Sequence, residues 1–237
     1  MAGRLANRIA LITGASRGIG AATALRYAQE GAHLVLVART QGALEELDDR
    51  IRKLGGQATL LPLDLGEVDR IDQMAAAIHA RFGHLAILVA NAASLGVLTP
   101  LAHLAPDVWN DTLNLNLTVN WRLIRALDPL LRLSPAGRAI FVTSGAARSA
   151  FAYWGAYAVS KAGLEMLAKV YAAETVKTAI RVNILDPGVV ATDMRAQAFP
   201  GEDPATLPAP ETLGDLFVEL GEAACRRHGE IVSAPRR

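Results

Sequence analysis

The sequence predicts a doubly wound α/β domain, a parallel sheet with helices on both faces, and three observations carry that expectation. Short β-rich apolar runs alternate with longer amphipathic ones along most of the chain. Those short runs are almost wholly apolar rather than alternating, as strands covered on both faces should be. A glycine-rich turn, TGASRGIG from Thr13 to Gly20, sits where the first strand meets the first helix. Backbone N–H groups and a helix N-terminus can cradle a pyrophosphate there.

Taken in order, IALIT (Ile9 to Thr13) is the first strand, and IGAATALRYAQEG is a helix closed by Gly31. HLVLVA (His33 to Ala38) predicts the second strand, and QGALEELDDRIRKLGG a helix ending at Gly55 and Gly56. QATLLPL and Glu67 to Phe82 repeat the unit, and LAILVA (Leu85 to Ala90) is the fourth strand. After a loop, Asp107 to Leu133 reads as helix, AIFVT as strand, Gly155 to Lys177 as helix and IRVNIL (Ile180 to Leu185) as strand. No repeat, low-complexity tract or composition break appears before Pro187, so one domain over residues 1–237 suffices. From Pro187 to Pro210 five prolines (187, 200, 204, 208, 210) preclude a long regular helix. That stretch, within a segment at about 189–213, reads as a substrate-covering lid or as a mobile loop.

Composition narrows the function classes. A chain of 237 residues can bury about 70% of its unfolded surface. With 51% apolar and 20% charged residues it is globular, and 24 basic against 23 acidic side chains give a net charge of +1. Nothing in that balance attracts nucleic acid. The single cysteine, Cys225, excludes an internal disulfide and fits a reducing cytoplasm. The segment MAGRLANR lacks an apolar core of signal-peptide length, so export is not expected. Phe82 to Pro106 carries no Asp, Glu, Lys or Arg, but six polar or turn residues, His84 and Asn91 among them, make it a buried strand and loop rather than a membrane span. The five histidines (33, 79, 84, 103, 228) show no metal-ligand spacing, and no metal is expected.

The chemistry concentrates in SGAARSAFAYWGAYAVSK, Ser144 to Lys161. On a helix, Tyr157 and Lys161 stack one turn apart, about 5–6 Å at Cβ. A free phenol has a pKa of about 10, and a neighbouring ammonium lowers it. Tyr157 can then trade a proton with an alcohol or carbonyl. Ser144 follows AIFVT and would present its hydroxyl at a strand end. The same pair also suits a helix face without chemistry. In the glycine-rich turn, Gly14, Gly18 and Gly20 are spaced GxxxGxG, a departure from the commoner GxGxxG, and a tight turn alone is the other reading. An acid at the end of the second strand would bind the ribose 2′-hydroxyl of NAD. Ala38 and Arg39 stand there instead, so Arg39 with Arg17 could hold a 2′-phosphate, favouring NADP over NAD. Otherwise these arginines only decorate a solvated surface.

Together, TGASRGIG, Asp64, ANAA (Ala90 to Ala93), Asn116 in LNLNLTVN, Ser144, Tyr157-x-x-x-Lys161, and Pro187-Gly188 followed by Thr192 resemble the short-chain dehydrogenase/reductase family, in order and over nearly the whole chain. The resemblance implies a Rossmann-type sheet of about seven strands, HGEIV (His228 to Val232) being the last, and an NADP-dependent oxidoreductase acting on a small carbonyl or alcohol. It implies Tyr157 as general acid/base, Lys161 lowering its pKa and holding the nicotinamide ribose, and Ser144 bonding the substrate oxygen. Asn116 would anchor a water relaying protons to Lys161, and Ser16, Arg17, Ile19 and the three glycines would line the pyrophosphate. Asp64 and Leu65 would meet the adenine, Asn91 would support the sheet beside the cofactor, and Pro187, Gly188 and Thr192 would hold the carboxamide. The family's Asn-Asn-Ala-Gly becomes Ala90-Asn91-Ala92-Ala93, and its Asp-Gly-Gly tail is missing, which makes a homodimer a firmer expectation than a tetramer. ATDMRAQAFPGEDP is similar to the lid of the YciK-type bacterial oxidoreductases. A dinucleotide-binding sensor without turnover is the alternative, as is the same enzyme using NAD. Tyr153, Trp154, Met194 and Phe199 are expected to line an apolar pocket.

Overall fold

The computed structural model describes residues 3–67 and 69–235. Seven parallel strands form one sheet in the order β3-β2-β1-β4-β5-β6-β7. They are β1 (Ile9–Thr13), β2 (His33–Ala38), β3 (Gln57–Pro62), β4 (Ile87–Ala90), β5 (Arg138–Val142), β6 (Arg181–Asp186) and β7 (Ile231–Ser233). The helices are α1 (Gly18–Gln29), α2 (Gln41–Lys53), α3 (Asp69–Phe82), α4 (Pro106–Leu113), α5 (Val119–Leu133), α6 (Gly155–Thr175), α7 (Asp193–Ala198) and α8 (Gly214–Gly221). Both faces are covered, which is why β4 and β5 are buried at every position. On one face Tyr27, Leu44, Ile51 and Phe217 from α1, α2 and α8 pack on the sheet, and on the other Ile71, Leu127, Leu164 and Tyr171 from α3, α5 and α6. The strand order reverses between β1 and β4, so a crevice opens at their carboxyl ends.

Several expectations need correction. The helix expected over Asp107 to Leu133 is two helices joined by a π-helical segment, Asn114–Thr118. A π-turn inserts one extra residue into the α-helical repeat, and here the insertion turns Asn116 fully inward to bond other segments. The expected start of the third helix spans Val68, which lies outside the described residues. The proline-rich excursion contains the short helix α7, capped by Thr192 Oγ1 accepting from the Arg195 N–H at 3.2 Å. Beyond it lies α8, which the sequence reading lacks. The last strand begins at Ile231, three residues after the expected start at His228, because His228 is occupied elsewhere: Nδ1 accepts the Val182 N–H at 3.2 Å, and Nε2 lies 2.9 Å from the Ala172 carbonyl.

Candidate active site

The turn between β1 and α1 is built by steric exclusion. Gly14 has φ +63°, and a Cβ on Gly20 would stand 2.2 Å from the Gly14 carbonyl oxygen, so neither position admits a side chain. Thr13 and Asn91 lock the turn to β4. Asn91 Nδ2 donates to the carbonyls of Thr13 and Gly14 at 3.0 and 3.2 Å, and Thr13 Oγ1 accepts the N–H groups of Asn91 and Ala92. Arg17 occupies the N-cap position of α1, no side chain caps the helix, and no acid stands in its first turn. Its leading N–H groups, at Gly18, Ile19 and Gly20, have no intrahelical acceptors and face the crevice as an anion site. Ser16 is half-buried in the turn, and Arg39 is exposed immediately after β2. The residues present therefore fit a dinucleotide diphosphate with a second phosphate near Arg39. Asp64 Oδ1 accepts the Gly66 N–H at 2.9 Å, fixing the loop after β3, whereas the Leu65 side chain belongs to the core. Across the crevice Gly188 has φ +66°, and its N–H donates to Asp186 Oδ1 at 3.0 Å.

The sheet edge and α6 bring the catalytic candidates together. Ser144 stands two residues past β5 and caps a short turn, Oγ accepting from Ala146 N–H at 3.3 Å, and its hydroxyl lies near enough to the Tyr157 phenol to favour the phenolate. Lys161 Nζ lies 5.8 Å from the Tyr157 ring centroid and donates to the Val142 carbonyl at 2.9 Å. Burial pushes the Tyr157 phenol up, the Ser144 hydrogen bond pulls it down, and the Asp186 carboxylate adds to the rise. Burial also pushes the Lys161 ammonium down to about 8. Desolvation thus favours the neutral form of both groups. Asn116 is fully buried on the π-helical segment. Its Oδ1 accepts the Ser94 N–H at 2.8 Å, and its Nδ2 donates to the Ser94 carbonyl and Ser160 Oγ at 2.8 and 3.0 Å. Its own carbonyl accepts from Asn120 Nδ2 at 2.8 Å.

The segment after Thr192 closes against this site. Met194 and Ala198 of α7 pack with Leu95, Leu98, Ala146 and Trp154 around Tyr157. Trp154 meets the Tyr157 ring edge-on at 5.8 Å and Phe199 at 5.8 Å. Arg195 lies 3.6 Å over the Phe199 ring and forks onto Glu202 at 2.5 and 2.7 Å, bracing the segment internally. At its root Arg17 pairs with Asp193 at 3.2 Å. Tyr153 is 58% exposed with φ +75°, and its carbonyl accepts from Thr99. The sequence reading also missed Arg148, Glu165 and Asp186. Their pairing spans up to 38 residues, and no local spacing announces it.

A nucleotide cradle beside a serine, tyrosine and lysine at the carboxyl edge of a doubly wound sheet defines a dinucleotide-dependent oxidoreductase class. Comparison with known proteins makes this specific: residues 8–203 match the family described as short chain dehydrogenase, and the chain belongs to that family. The oxidoreductase YciK of Escherichia coli (strain K12) is 37% identical over 234 residues, covering 97% of this chain and 92% of that protein. Two solved structures align at 36% identity. A short-chain dehydrogenase from Escherichia coli CFT073 complexed with NADPH has a TM-score of 0.94, covering 98% of this chain and 99% of that one. One from Shigella flexneri 2a strain 301 complexed with NADP has a TM-score of 0.93, covering 97% and 98%. Among the described residues no helix is long and apolar enough to cross a membrane, and no His, Cys, Asp or Glu cluster could hold a metal.

Proposed function

We propose that this chain is an NADP(H)-dependent oxidoreductase that interconverts a ketone or aldehyde with its alcohol. The observation that carries the reading is the buried Tyr157 phenol, near the Ser144 hydroxyl and one helical turn from Lys161, together with the uncapped N-terminus of α1. NADP(H) is the cofactor because Arg39 stands where an NAD enzyme needs an acid, and two relatives of this fold carry NADPH and NADP. When bound, the nicotinamide supplies or accepts the hydride. The Gly14–Gly20 turn with Ser16, Arg17 and Ile19 binds the diphosphate, Arg39 the 2′-phosphate, and Asp64 the adenine. Pro187, Gly188 and Thr192 hold the carboxamide.

Ser144 Oγ orients the substrate oxygen, and the Tyr157 hydroxyl donates its proton to that oxygen in reduction or removes it in oxidation. Lys161 holds the ribose and stabilises the phenolate left behind, and Asn116 keeps the loop at Ser94 in place. The NADP preference favours reduction as the working direction. Leu95, Leu98, Trp154, Met194 and Phe199 make the substrate apolar, with the 189–213 segment as its lid. The exposed apolar face of α6 supports self-association as a homo-oligomer, a dimer or a tetramer.

The test is NADPH oxidation against a panel of ketones, aldehydes, quinones and 3-oxoacyl thioesters, with wild type and Tyr157→Phe in parallel. Turnover that vanishes in Tyr157→Phe while NADPH still binds is the expected result. Turnover that survives the substitution would remove Tyr157 from the mechanism.

A further inference from the structure

Arg148 stands at the end of the short turn after Ser144 and reaches two buried carboxylates on different elements. Its Nη1 donates to Glu165 Oε1 at 2.5 Å, and its Nη2 donates to Asp186 Oδ2. The carboxylates are 7% and 10% exposed, against 38% for the arginine side chain. Glu165 lies one turn past Lys161 on α6 and also accepts from Thr143 Oγ1 at 2.9 Å, beside Ser144. Asp186 ends β6 and holds the Gly188 N–H. One guanidinium thus joins the segments that carry Ser144, Tyr157 with Lys161, and the Pro187-Gly188 turn.

We propose that Arg148 is a positioning residue that clamps Glu165 to Asp186 and offsets part of the Asp186 charge felt by the Tyr157 phenol, so that Asp186 orders the turn at Gly188 while proton transfer at Tyr157 is kept. The charged groups facing Tyr157 are Lys161 from its own helix and Asp186 from β6. Ser144 approaches from the loop after β5 as a neutral hydroxyl, and Leu95 and α7 contribute apolar side chains. An unpaired carboxylate opposes a phenolate, and a cation bound to that carboxylate weakens the effect. The proposal rests on the assigned role of Tyr157, and its test requires no substrate.

The experiment follows ring ionisation by NMR of isotope-labelled tyrosine, the resonance absent from Tyr157→Phe being that of Tyr157. In Arg148→Ala the midpoint should rise by about one pH unit. It should return toward wild type in Arg148→Ala/Asp186→Asn and stay near wild type in Arg148→Lys. Asp186→Asn alone should move it down, and this variant decides the matter if Arg148→Ala does not fold. A midpoint unmoved in folded Arg148→Ala, or in Asp186→Asn where that variant decides, overturns the proposal. A Tyr157 midpoint that shifts in a protein without Tyr157-dependent turnover would instead overturn the proposed function and leave the clamp standing.

Discussion

Lys161 illustrates what the site costs at the scale of one residue. Its side chain is buried, and its ammonium is pushed from 10.5 to about 8 by desolvation. The unfolded chain therefore binds that proton more tightly than the folded one, so folding is most penalised below pH 8, and stability returns as pH rises from 8 to 10.5. The shift corresponds to a penalty of roughly 3 kcal/mol at neutral pH. Lys161→Met should accordingly melt higher than wild type at pH 7 without cofactor while losing turnover. The gap in thermal midpoints should close toward pH 10.5. Arg39 carries the opposite kind of prediction, because it is exposed and its worth lies in ligand binding. A charge-assisted hydrogen bond contributes about 1.5–3 kcal/mol, so Arg39→Asp should weaken NADPH about ten- to a hundredfold and spare NADH. Equal losses for both nucleotides by titration would remove Arg39 from 2′-phosphate binding. Both residues were legible in the sequence, Lys161 from its spacing to Tyr157 and Arg39 from the acid it replaces. The burial of Tyr157 and the approach of Asp186 were not, because they depend on elements far apart in the chain.

Among the elements, the β1–α1 turn tolerates little change. A methyl group on Gly20 meets the Gly14 carbonyl at 2.2 Å and Asn91 Nδ2 at 2.8 Å. Gly20→Ala should destabilise the fold by about 1–3 kcal/mol and weaken NADPH binding, as read by thermal unfolding and nucleotide titration. This turn was readable because glycine spacing between a strand and a helix encodes backbone geometry directly. The π-helical segment was not: α- and π-turns draw on the same residue types, and what selects the π-turn is the reach of Asn116 to Ser94 and Ser160. Helix α8 was hidden for another reason. It is only eight residues long, flanked by Gly214 and Gly221 at its ends, and follows a proline-rich stretch that suggests irregular chain. Its identity comes from burying Phe217 and Val218 against α1 and the sheet, a tertiary cause that outweighs local propensity.

At the scale of the whole molecule the fold class was plain from the sequence, since the bounds of six apolar runs fell within two residues of β1 to β6, and those of β1 and β2 matched outright. Assembly was less so. Val159, Met166 and Val170 lie exposed along one side of α6, from 47% to 61%. If copies of the chain meet there, Met166→Glu should convert the dimer to a monomer in analytical ultracentrifugation; a monomeric wild type would show the face to be unpaired. The sheet's two outer strands answer a separate question, that of solubility. A parallel sheet leaves a row of unpaired amides along each border, and long bare borders recruit other chains. Here one border strand, β7, has only three residues, and the other, β3, ends in a proline that has no amide hydrogen to offer. A chain that must keep this many strands in one layer therefore guards itself against fibre-like stacking with the two strands that carry none of its chemistry.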